Sequence, residues 1–258
     1  ALERPLGSDL VVRSRPCRPT ETGQRLLQYL KRATLLEADL LADLAERSDA
    51  PLVVVAALNA DSLGTWFFPA LAEVLIRERV LLDLTVEDQD HTYSLLETGL
   101  AIGCISTEPK PMRGCTASPL GSMRYRLVAS SEFRQKHFAN GLTRNAARMA
   151  PVVAYTRKDT LQSSFLLRRF GLPEGAYPCH FVPGAEPHFS AIRYGLGYGM
   201  VPELLLHDAL QTGEVVDLAT DEPLEIALYW HTWKVQSPRM EHLSRQIIEA
   251  APKILARP

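Results

Sequence analysis

The chain has 258 residues, 46% of them hydrophobic and 22% charged, with 28 Lys and Arg against 30 Asp and Glu for a formal net charge of −2 at pH 7. That composition suits one or two folded domains with a substantial core, and it excludes a largely disordered chain. The near balance of charge excludes a surface that is basic throughout, so any nucleic-acid contact must be local or must reside in another part of the protein.

No apolar run reaches the ~18 residues that a membrane span needs, and the N-terminus lacks a basic stretch followed by an apolar core. A cytoplasmic protein without membrane contact is expected. The cysteines, Cys17, Cys104, Cys115 and Cys179, form no CxxC pair and have no metal-ligand spacing, so they read as reduced thiols.

Residues 1–19 carry Arg4, Arg13, Arg15 and Arg18 close together. They are too short to bury a core alone and read as the tail of another domain, where the arginines either touch phosphates or form a solvated basic strand pair. Thr20 then stands at the mouth of a helical pattern running to about Arg47, with Leu26, Leu30, Ala33, Leu36, Leu40 and Leu44 recurring every three or four residues. A helix of that length extends about 40 Å. Nothing beside it in sequence covers the leucine stripe, which predicts a partner helix, most simply its own copy.

Ser48 to Pro51 breaks the helix and opens an alternating region. The stretch from Pro51 to Ala72 reads as a strand over 52–57, a polar turn Asn59-Ala60-Asp61-Ser62, and a helix over 62–78 carrying Leu63, Trp66, Phe67 and Leu71. Asn59, Asp61 and Ser62 are all good capping residues, so backbone N–H groups and a positive helix end converge there, suited to a carboxylate. A plain capped turn is the other reading. Strands follow at 80–86 and 100–105 with a short helix at 91–98 between them. Such alternation predicts right-handed βαβ units and a mainly parallel sheet, with ligands beyond the carboxyl ends of the strands.

An extended run over 115–130, a helix at 131–138, a strand at 151–156, a helix at 159–170, a strand near 179–182, a helix at 185–194, a strand at 197–201 and a helix at 202–211 form a second set. Leu224 to Trp233 is a long strand and Pro238 to Leu255 an amphipathic helix. If the chain crosses over near Arg126 and returns near Thr220, the parts are a linker helix at 20–48, one lobe from 51–126 with 221–258, and another from 127–220.

This order of parts resembles the LysR-type transcriptional regulators. The residues carrying the resemblance are Leu2-Glu3, Leu6-Gly7 and Arg13 of a wing, and PTETG at Pro19 to Gly23 opening the linker helix. NADSLGTWFFPAL (Asn59 to Leu71), VEDQ (Val86 to Gln89), APVVAY (Ala150 to Tyr155), PCH (Pro178 to His180) and LYWH (Leu228 to His231) look like the lysine- and arginine-responsive subgroup. The resemblance implies an α/β fold: a two-lobed, periplasmic-binding-protein-like effector domain preceded by a long dimerisation helix, with residues 1–19 as a wing remnant. It further implies a homodimer or tetramer, and DNA contact only through an intact parent whose helix-turn-helix precedes Ala1. Arg13 and Arg15 would then touch the DNA backbone, and Leu26, Leu30, Leu36 and Leu40 would line the dimer seam.

A basic amino acid in an interlobe cleft brings a carboxylate and cationic groups, each of which must be paired when buried. Asn59, Ser62 and Ser106 are the expected carboxylate partners, and Asp61 with Glu186 the ammonium partners, with Tyr155 lining the second lobe. Glu87 and Asp88 are further candidates. No metal and no cofactor is expected, since Cys179-His180 with His188 lacks a fourth ligand. Gly195-x-Gly197-x-Gly199 precedes a strand instead of joining strand to helix, and GxSxG, P-loop and HExxH motifs are lacking, so no enzyme is expected. A solute-binding module of the periplasmic type is the rival reading.

Overall fold

The computed structural model describes residues 3–12, 14–15, 17–44, 51–87, 92–97 and 101–256. Its strands in chain order are β1 (Val11–Val12), β2 (Arg18–Pro19), β3 (Leu52–Leu58), β4 (Val80–Val86), β5 (Gly103–Ser106), β6 (Cys115–Ser130), β7 (Val152–Ala154), β8 (Cys179–Phe181), β9 (Tyr198–Pro202), β10 (Val215–Asp217) and β11 (Leu224–Trp233). These residues form two compact units. The first holds Ala1–Asn59, Ala70–Leu120 and Leu228–Ala250, and the second Ala60–Pro69, Gly121–Ala227 and Ala251–Pro258.

In the first unit β1 and β2 make an antiparallel ribbon, with Val11 opposite Pro19 and Val12 opposite Arg18. Thr20 ends it and caps the helix Glu21–Leu44, its hydroxyl accepting from the Gly23 N–H at 3.0 Å and donating to the Asp9 carbonyl at 2.6 Å. Gly23 is required there, because a Cβ would lie 1.9 Å from the Leu10 carbonyl oxygen. Strand β3 pairs in parallel with both β4 and β5, and β11 joins β5 antiparallel, Tyr229 opposite Ser106. Strand β3 is entirely apolar, and its buried residues Leu52, Val54, Ala56, Ala57 and Leu58 contribute to the core of this unit.

In the second unit β6 pairs antiparallel with β9 and with β10, while β7 runs parallel to β9 and β8. Val128, Val153, Phe189, Ile192, Val201, Leu206 and Val215 pack as its core. The helix Leu161–Phe170 ends on Gly171 at φ 64°, a left-handed cap that only glycine adopts cheaply.

Most expected elements lie within two residues of their sequence bounds. The helix Arg144–Met149 and strand β10 are additional, and the 202–211 segment divides into a 3-10 turn at Glu203–Leu205 and a helix at His207–Gln211. The last helix ends at Ala250 and continues as a 3-10 turn at Ala251–Lys253, since Pro252 cannot extend it. The unit boundaries fall at Leu120/Gly121 and Ala227/Leu228, and Ala60–Pro69 joins the second unit despite standing among residues of the first in sequence.

Candidate functional site

The helix that follows β3 begins at Ala60, so Asn59 is the residue before its first turn and Asp61 and Ser62 lie inside it. Ser62 therefore stands at helical backbone angles, φ −60° and ψ −44°, and its side chain makes no capping bond. From Leu63 to Phe67 the helix widens into a π turn before resuming as Phe68–Arg77. Such turns interrupt the regular ladder and are frequent where a helix serves a site.

Asp61 is the centre of a hydrogen-bonded group within the second unit. It is 8% exposed. The Tyr125 hydroxyl donates to Oδ2 at 2.7 Å, and the Tyr155 hydroxyl donates to Oδ1. Tyr125 comes from β6 and Tyr155 from the end of β7, so two strands grip one carboxylate. Burial first, and then the adjacent Asp61 charge, hold the Tyr125 phenol well above the usual tyrosine range, which keeps it a donor. Two neutral hydroxyls orient the carboxylate without cancelling its charge.

His188, on the helix Ala185–Arg193, supports Tyr155 from behind, with the two rings stacked at 4.5 Å between centroids and 28° between planes. The His188 Nε2–H donates to the Val153 carbonyl at 3.1 Å, which fixes the tautomer, and its Nδ1 has no partner among the described residues. Burial pushes His188 down to about 4, so the ring is neutral at physiological pH. The same helix approaches the π turn closely: a Cβ on Gly64 would lie 2.8 Å from the Ala185 Cβ.

The structure thus brings Asp61 and Tyr155 together, as two of the residues read from sequence, and adds Tyr125 and His188. Tyr125 was legible in part: in Met123-x-Tyr125-x-Leu127 it occupies a buried alternate position, where a phenol needs a polar partner. Glu186 stands exposed in the first turn of the helix Ala185–Arg193, and among the described residues no hydrogen bond joins it to Asp61. Asn59 and Ser106 belong to the first unit and are buried, and the Ser106 hydroxyl accepts from the Glu108 N–H at 3.2 Å, closing a local turn. His231 is buried, its Nε2 bonded to the Glu108 carbonyl at 2.7 Å. Arg15 is exposed, while Arg13 and Asp88 lie outside the described residues. Leu26 is partly buried and Leu30 exposed on the long helix; the side chains of Leu36 and Leu40 lie outside the described residues. Among the described residues no helix is long and apolar enough to cross a membrane, and no cluster of three or more His, Cys, Asp or Glu side chains could hold a metal.

Parallel strand pairings with intervening helices recur in each compact unit, as in a ligand-binding domain of the periplasmic-binding-protein type. Comparison with known proteins agrees. The LysR substrate binding domain family matches residues 48–252. The HTH-type transcriptional regulator ArgP of Klebsiella pneumoniae (strain 342) is 39% identical over 254 residues, 98% of this chain and 85% of that protein. The crystal structure of ArgP from Mycobacterium tuberculosis superposes with a TM-score of 0.90 at 39% identity, over 100% of this chain and 87% of that one. Full-length LysG from Corynebacterium glutamicum with bound effector Arg gives a TM-score of 0.84 at 35% identity, over 100% and 87% of the two chains. The chain belongs to the LysR family of transcriptional regulators, whose members named here are regulators and not enzymes.

Proposed function

We propose that this regulator senses a basic amino acid, arginine or lysine, through Asp61. The observation that carries the reading is a buried carboxylate gripped by two tyrosine hydroxyls at the start of a helix, in a relative of a regulator solved with arginine bound. A guanidinium or ammonium group gains a charge-assisted hydrogen bond there, and a low-dielectric setting strengthens it. Tyr155 is only partly buried, so it offers the approach from solvent. The N–H groups of the first helical turn, with Asn59 and Ser62, suit the α-carboxylate, although a helix end alone contributes only about 0.3–2 kcal/mol. Ser106 and Glu186 remain secondary candidates for the carboxylate and the ammonium.

The ligand biases the regulator between two states by its differential affinity for them. The protein works in the cytoplasm as a homodimer or tetramer through the helix Glu21–Leu44. Arg13 and Arg15 support DNA-backbone contact in a parent carrying a helix-turn-helix. Titration calorimetry with L-arginine and with L-lysine tests the sensor reading. Saturable binding is expected, with the Asp61 site weakened at least tenfold by Asp61→Asn. Absence of heat and of thermal stabilisation with both amino acids would remove it.

A further inference from the structure

We propose that the second unit carries another small-molecule site, separate from Asp61, that takes an uncharged or cationic α-amino acid as its zwitterion. A cavity of about 300 Å³ opens between β7, β8 and the start of the helix Leu161–Phe170. Val152 and Ala154 of β7 line it, whereas Val153 packs into the core and Tyr155 stacks on His188. Alternation along a strand therefore sets the cavity on the opposite face of β7 from the Asp61 group.

The walls match the two ends of a zwitterion. Arg157 lies over the Phe181 ring, 4.3 Å from its centroid, and makes no ion pair among the described residues, so its guanidinium is available to a carboxylate. Glu174 supplies a carboxylate for an ammonium, and Asp159, whose Oδ1 accepts from the Leu161 N–H at 2.9 Å, adds negative charge beside it. Two acids to one base favour a neutral or cationic ligand over an acidic one. Gln162 is 3% exposed and lines the cavity. Its Oε1 accepts from the Met200 N–H at 2.7 Å, which fixes the amide, while its Nε2 is buried with no partner among the described residues. Tyr177 and Phe181 give the apolar wall, and the volume sits at the small end of ligand sites, the size of an amino acid.

The test separates this site from the first. In the Asp61→Asn chain, L-arginine, L-lysine and L-glutamine are titrated by calorimetry. At least one is expected to bind with one-to-one stoichiometry, and Arg157→Ala added to that background is expected to weaken it at least tenfold. Glu174→Gln, an exposed position whose change leaves the core intact, is expected to weaken it several-fold and keeps the test open if Arg157→Ala misfolds. The site is overturned if Asp61→Asn binds none of the three, or if both further variants bind as their parent does. Wild-type binding that vanishes with Asp61→Asn would sustain the sensor reading and remove only this one.

Discussion

A buried carboxylate is stable only if its lone pairs are met, and the Asp61 group meets them with phenols. Removing one phenol should therefore cost more than the bond itself, because Oδ2 stays desolvated. Tyr125→Phe is expected to lower stability by about 1–3 kcal/mol, read from urea unfolding; a change under a few tenths would show that the phenol carries no weight. His188 gives a pH dependence. Its ordinary value is 6.5 and its folded value about 4, so between the two the unfolded chain holds the extra proton. Its contribution is complete above the ordinary value and is lost as pH falls toward 4, at up to about 1.4 kcal/mol per pH unit. His188→Gln should lose less stability than the parent between pH 7 and pH 5 in paired denaturation curves. Asp61 and Tyr155 were legible in sequence through a family resemblance and the polar turn after an apolar strand. Tyr125 and His188 were not assigned, because their roles come from strands and a helix far apart in the chain. Ser106 was named for its place at a strand end, and its hydroxyl accepts from the Glu108 N–H in a local turn.

Helical spacing foretold the segment after β3, but not its π turn, since a widened turn leaves no mark in an apolar period. Gly64 is the residue in that turn with a visible steric reason. Gly64→Val would drive a branched side chain into Ala185 and is expected to cost about 1–3 kcal/mol, with weaker arginine binding in the same preparation. Unchanged melting and unchanged affinity would show that the two helices tolerate separation. The helix Arg144–Met149 escaped the sequence reading because six residues give less than two turns of periodicity, although Thr143 caps it by accepting from the Ala146 N–H at 3.3 Å. Strand β10 is three residues long and is defined by pairing with β6, which local sequence does not encode.

At the scale of the molecule, the α/β class and the long leading helix followed from alternation and from the leucine stripe. Long strands such as β6 and β11 read as single elements, and where each changes unit depends on packing on either side. On the helix Glu21–Leu44, Leu27, Tyr29 and Leu30 are exposed at 46%, 62% and 45%, a surface that self-association would cover. Leu26→Glu with Leu30→Glu is expected to shift the protein to a monomer in sedimentation at micromolar concentration; a monomeric parent would rule out that interface. The compact units also trade chain repeatedly, at 59/60, 69/70, 120/121, 227/228 and 250/251. During synthesis both units wait for C-terminal residues: one for β11 and the helix Pro238–Ala250, the other for Ala256, which bridges back to Ser122. A chain cut before Pro238 would lose the closing helix of one unit and the Ala256–Ser122 bridge of the other together, so neither should survive in it as a working half.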